Sequence, residues 1–314
     1  MLSANTTSSY QISHFVLICF PTQSIQSWQH WLSVPLALLF FVAIVANITI
    51  ILAIGKEQHL HEPMYFFLCF LAFSDLVLCT TITPKILGIL CFNLKAIDLP
   101  SCFLQMYIMN CFIAMESCTF LFMAYDRYIA ICIPLRYNSI ITNSFVAKAL
   151  VFILSRNTLL ALPVPVLASR LHYCSAKVID NCICSNVSVS ALACSDRTLN
   201  KVYQMVIAFT VLGIDLFFIG VSYYLILRSM WNLQAEGAVP KAFSTCSSHF
   251  ILITFFYSVL LVLIFTNKME KEIAPDIPIL LNVLHFLLPP VLNPIVYGVR
   301  TKEIKQGIVR MVMK

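Results

Sequence analysis

The chain has 314 residues, 60% of them hydrophobic and only 11% charged, with a mean hydropathy of +0.88. Soluble domains are roughly 45–50% apolar and about 25% charged, so the composition excludes an ordinary soluble globule and points to lipid. The formal net charge of +6 reads as a topology signal rather than a nucleic-acid footprint. Seven apolar runs stand out, at about 31–54, 64–90, 102–132, 146–168, 202–227, 247–267 and 276–299. Each reaches the ~20 residues a helix needs to cross hydrocarbon. The expected fold is an all-α membrane protein: a seven-transmembrane helix bundle over 31–299, preceded by an extracellular segment 1–30.

Residues 1–30 hold no Lys or Arg and no clean apolar core, so no cleavable signal peptide is expected and the first span targets the chain. Basic residues favour the cytoplasmic side. Lys56 follows the first run, and Arg300, Lys302, Lys305, Arg310 and Lys314 fill the tail. The amino end therefore lies outside and the carboxyl end inside, with a multi-pass chain in the plasma membrane. The tail 300–314 alternates basic and apolar residues, as an amphipathic helix on the inner leaflet would.

Asn5-Thr6-Thr7 is a glycosylation sequon on the outer side. Asn47 also begins a sequon but lies within the first run, where its amide suits an interhelical bond. Pro63 fits the first turn of the second helix. Asp75 sits in mid-span, where an ionisable group costs at least ~2.5–3.5 kcal/mol. Glu116 supplies a second carboxylate in the third run, eleven residues before Arg127. Facing each other, the two acids would share a proton or hold a cation; apart, each would be protonated and bonded to neighbouring hydroxyls. Asp215 is a third buried acid with no assigned role.

The third run ends in Met123-Ala124-Tyr125-Asp126-Arg127-Tyr128-Ile129-Ala130-Ile131-Cys132-Ile133-Pro134-Leu135-Arg136-Tyr137. Asp126 and Arg127 neutralise each other at a low-dielectric boundary, and Pro134 stops the helix. Five of thirteen cysteines (Cys102, Cys174, Cys182, Cys184, Cys194) gather on the outer side, where disulfides persist; an odd number leaves one spare or paired elsewhere. Asn186-Val187-Ser188 is a sequon inside that loop. Pro163 and Pro165 kink the fourth run, and the fifth ends in Ser222-Tyr223-Tyr224. Lys241-Ala242-Phe243-Ser244-Thr245-Cys246-Ser247-Ser248-His249 opens the sixth, with His249 either a packing histidine or a switch. The seventh holds Asn293-Pro294-Ile295-Val296-Tyr297, where Pro294 breaks a backbone bond and leaves the polar Asn293 side chain to re-satisfy it, or simply kinks the helix.

Those strings, with Leu60-His61-Glu62-Pro63-Met64-Tyr65, resemble the odorant receptors, a branch of the rhodopsin-like G-protein-coupled receptors, and Glu62 leans toward their class I, fish-like group. The absence of Trp from the middle of the fourth run is shared with them. The resemblance implies that Asp126, Arg127, Tyr128, Tyr223, His249, Asn293, Pro294 and Tyr297 form the coupling switch. It further implies disulfides Cys102–Cys184 and Cys174–Cys194, leaving Cys182 over, and an ion or proton pocket at Asp75 and Glu116. The implied partners are a small odorant and a heterotrimeric G protein of the stimulatory, olfactory type that raises cyclic AMP.

A ligand would lodge in the outer half of the bundle. Met106, Met109, Asn110, Ile113 and Ala114 occupy that level of the third run, and Ile207, Ala208 and Val211 that of the fifth. Tyr257, Leu260, Leu261, Ile264 and Lys268 form one stripe of the sixth at helical spacing. Lys268 could pair with a carboxylate or carbonyl on the ligand, or instead snorkel or meet Glu270, Glu272 or Asp276. Met109 and Asn110 stand where an amine receptor needs an acid. A receptor for a small carboxylic acid metabolite is the nearest alternative. A proton or cation transporter would use the three acids but should show internal repeats, and none is visible. No spaced nucleophile–base or metal set suggests an enzyme, and no cofactor is expected.

Overall fold

The computed structural model describes residues 13–22, 28–174, 177–232, 238–268 and 273–313, and the side chains of 232, 238–246, 267, 268 and 312 lie outside that description. Seven helices among the described residues are long and apolar enough to cross a membrane. They are α1 (Gln29–Lys56), α2 (Pro63–Phe92), α3 (Leu99–Cys132), α4 (Asn143–Ser169), α5 (Thr198–Trp231), α6 (Ala238–Lys268) and α7 (Asp276–Arg300). A shorter helix, α8 (Lys302–Val312), follows.

Local chemistry sets the ends of these helices. Pro63 takes the first turn of α2, and Asn93, at φ 56° in the left-handed region, closes it by donating its N–H to Gly88 and Ile89 carbonyls. The Asp98 carboxylate accepts from the Ser101 N–H at 3.1 Å, and the Thr142 hydroxyl from the Phe145 N–H at 3.2 Å, capping α3 and α4. Asp98's carboxyl is held below its ordinary range by those Ser101 hydrogen bonds. Helix α3 is the hub: 61% of its most apolar stretch is buried within the protein, against 28% for α1, α4 and α5. On α1 the side chains of Trp31, Leu38 and Phe41 point outward, as a lipid-facing surface requires.

One end of the bundle carries a small sheet, the single departure from an all-helical chain among the described residues. Strand β1 (His14–Leu17) lies between β2 (Ala96–Asp98) and β3 (Val178–Ile179). It runs antiparallel to β2, with Phe15 opposite Ile97, and parallel to β3, with Val16 opposite Val178. Phe15, Leu17, Cys19 and Phe20 are all buried, so the segment before α1 seals this cap end.

Three disulfides hold the cap: Cys102–Cys184, Cys174–Cys194 and Cys19–Cys182. The third corrects the expectation that Cys182 is left over. Its partner Cys19 precedes α1 and is not among the five cysteines grouped on the outer side, because pairing over such a distance has no local signature. At the opposite, tail end, α8 buries Ile304. Gly307 lies so close to Leu60 that a Cβ would sit 3.0 Å from its Cδ1.

Candidate functional site

A cavity of about 410 Å³ opens near the cap, between α3, α5, α6, α7 and the loop before α5. This falls within the ~300–1,000 Å³ range of small-molecule pockets. Its α3 wall is Met109, Asn110, Ile113 and Ala114, and its α5 wall includes Ile207, Ala208 and Val211. Leu260 and Ile264 face it from α6.

Three expected residues lie off the cavity. Met106 is fully buried one turn nearer the cap, close to the Cys102–Cys184 bridge. Leu261 is 42% exposed on the outer face of α6, and Leu263 lines the cavity instead; the stripe was drawn on the wrong side of the Leu260–Ile264 line. Tyr257 is buried below, bonded elsewhere. The side chain of Lys268 lies outside the described residues, as does Asn5. Sequence reading missed the α7 wall of Asn282, His285 and Phe286. Asn282 and His285, three apart in an apolar run, were the available signal.

Beneath the cavity a polar relay joins four helices. The Tyr257 hydroxyl of α6 and the Ser117 hydroxyl of α3 are 2.8 Å apart, and Ser117 donates to Asp215 Oδ2 on α5 at 2.9 Å. Arg156 of α4 donates to both Asp215 oxygens, at 3.1 and 2.7 Å. Asp215, which had no assigned role, is therefore a paired acid. Arg156 was overlooked because its apolar run hid a lone cation. A wide, π-type turn over Phe209–Asp215 locally shifts the register of α5 at the acid; such turns are frequent at functional sites.

A second cluster lies beside the relay, Glu116 and Ser117 being neighbours on α3. Asn293 donates its amide to both Asp75 oxygens, at 3.1 and 3.0 Å. Glu116, also buried, lies near enough to Asp75 for the two acids to interact electrostatically. The carbonyl that Pro294 cannot engage belongs to Pro290, four residues back. Asn47 of α1 donates to it at 2.7 Å. The interhelical bond expected of Asn47 thus mends the break, freeing Asn293 for Asp75.

At the tail end Arg127 donates to Asp126 Oδ2 through Nε and Nη2, at 3.0 and 2.6 Å. Tyr137 donates to Asp126 Oδ1 at 2.9 Å. Burial, and then the Asp126 charge, push the Tyr137 phenol above its ordinary range, so it stays a donor. The Arg127 side chain is only 12% exposed. His249 meets the Tyr297 hydroxyl at 3.3 Å. The Tyr223 ring packs edge-on against Phe250, and Tyr128 borders Tyr125.

Helices, cavity and relay together define a membrane bundle with a cap-side pocket and a charged pair at the far end. The chain matches a family model described as olfactory receptor over residues 36–314. It is 59% identical over 308 residues to the human protein "Olfactory receptor 56A4", covering 98% of each chain. It is 58% identical to human "Olfactory receptor 56A1", covering 100% of this chain and 98% of that one, and 38% identical to human "Olfactory receptor 52N2". The chain belongs to the olfactory receptor family, multi-pass G-protein-coupled receptors of the membrane that are not enzymes.

Proposed function

We propose that this chain is an odorant receptor of the plasma membrane, with the cap outside and α8 on the cytoplasmic leaflet. A small volatile enters the cap-side cavity, α6 moves outward at the tail end, and a stimulatory G protein of the olfactory type exchanges nucleotide and raises cyclic AMP. The observation that carries this reading is vertical alignment. The cavity wall formed by Leu260, Leu263 and Ile264 is continuous along α6 with Tyr257, which belongs to the Ser117–Asp215–Arg156 relay. A ligand that presses α6 differently in two arrangements shifts their balance by its difference in affinity. Asp75 and Glu116 form an ion or proton pocket, sharing a proton or holding a cation. Asp126, Arg127, Tyr128, Tyr223, His249, Asn293, Pro294 and Tyr297 make up the switch, and Asn5 carries the glycan. The test is cyclic AMP in cells expressing the full chain across a panel of volatiles. Responses should occur in the wild type and vanish in Arg127→Ala at equal surface level. Equal responses in both would contradict the coupling role.

A further inference from the structure

Among the described residues, the buried side-chain atoms without a hydrogen-bonding partner include only one that belongs to a cavity-lining residue: Nδ1 of His285. The imidazole is 4% exposed. It is flanked by the rings of Phe286, centroid 5.1 Å away, and Phe256, centroid 6.3 Å away. The other buried histidine in the spans, His249, has the Tyr297 hydroxyl. A polar group held in an apolar wall without a partner is costly, and such an exception in a folded protein needs a reason.

We infer that His285 is the hydrogen-bonding anchor of the cavity, and that the ligand it selects is an uncharged molecule bearing an alcohol or carbonyl oxygen on an apolar body. This rests on the odorant-receptor reading of the cavity and names the chemistry of its ligand. A neutral imidazole offers one N–H donor and one acceptor nitrogen, so it can pair with a hydroxyl in either sense and with a carbonyl as donor. Asn282 lies three residues away on the same face of α7 and lines the cavity beside it.

The remaining polar wall is largely committed. The Asn186 amide donates to Gln204 at 2.8 Å and accepts from Asn200 at 2.9 Å. Asn181 donates to Ser188, and Asn110 to the Met106 carbonyl of its own helix. No Lys or Arg lines the cavity among the described residues, and Asp180 stands on its wall. A carboxylate would meet that negative charge. The apolar body has Ile113, Val211, Leu260 and Ile264 to rest on.

The experiment is a dose–response of the full chain in cells supplied with a stimulatory G protein, using octanol, octanal and octanoic acid as probes. In the wild type octanol and octanal should activate and the acid should be weakest, a ranking that needs no variant. His285→Phe keeps a ring and removes both nitrogens; it should raise the half-maximal concentration of octanol about ten-fold, the size of one lost hydrogen bond. His285→Gln, which restores a donor and an acceptor, should recover part of that loss at matched surface level. Octanoic acid as the strongest probe, silence to all three, or an unshifted octanol curve in a surface-expressed His285→Phe would overturn the anchor. Those results leave the receptor reading standing if other volatiles still signal through Arg127. Loss of all coupling to every volatile would strike that reading, and the anchor with it.

Discussion

Single side chains show how a polar group survives inside this apolar bundle. Asp215 and Arg156 are mutually neutralised, and removing one partner leaves a buried charge exposed to hydrocarbon. Arg156→Met should lower the thermal stability of the detergent-solubilised receptor by about 3–5 kcal/mol. Adding Asp215→Leu to it should recover most of the loss, and a thermal melt of the two proteins checks both. Asn47→Ala, which strips the Pro290 carbonyl of its donor, should cost about 1 kcal/mol in the same assay. Tyr137 gives the pH dependence. Its phenol is raised in the folded protein, so the neutral form is favoured there. Its contribution to stability is full below the unfolded tyrosine value of about 10 and fades as pH rises above it. Wild type and Tyr137→Phe should therefore differ by a constant amount from neutral pH to about pH 10 and converge beyond.

At the scale of elements, the seven spans, their order and the amphipathic α8 were legible because apolar length and charge are local properties of the chain. Pro63, Pro134 and Pro294 marked a start, a stop and a break for equally local reasons. The cap was not legible: β1 is four residues long and pairs with two segments distant in sequence, and Cys19 finds its partner 163 residues away. The cavity was half legible. The level chosen on α3 and α5 includes residues that line the cavity, such as Met109 and Val211, whereas the α7 wall was unforeseen because Asn282 and His285 sit in a run otherwise read only for its proline break. The sequon at Asn186 illustrates what folding adds: that amide is buried and bonded at both ends, so it should carry no glycan. Glycosidase treatment should shift the mass of the mature chain by one glycan, and Asn5→Gln should abolish the shift. The cap bridge makes its own prediction, since β1 seals the bundle beside the cavity. Cys19→Ser should reduce the surface-expressed fraction by several-fold, consistent with the ~2–5 kcal/mol that a native disulfide contributes, as counted by flow cytometry against an amino-terminal tag.

For the molecule as a whole, the account is one of coupling between two ends. Between the cap-side cavity and the Asp126–Arg127 pair at the tail end, the Tyr257–Ser117–Asp215–Arg156 relay and the Asp75–Asn293 pair put polar clusters inside an apolar bundle. Each cluster joins at least two elements of the chain, the Asp126–Arg127 pair through Tyr137. A partner at the tail end that favours one arrangement of the bundle thereby favours one arrangement of the cavity. Coupling of this kind is reciprocal: whatever ligand does for the G protein, the G protein does for ligand. The direct measurement is the affinity of the most potent volatile for purified receptor, with and without nucleotide-free G protein. The account predicts at least a roughly five-fold tightening in the wild type and none in Tyr257→Phe. An affinity in the wild type that ignores the G protein would contradict it.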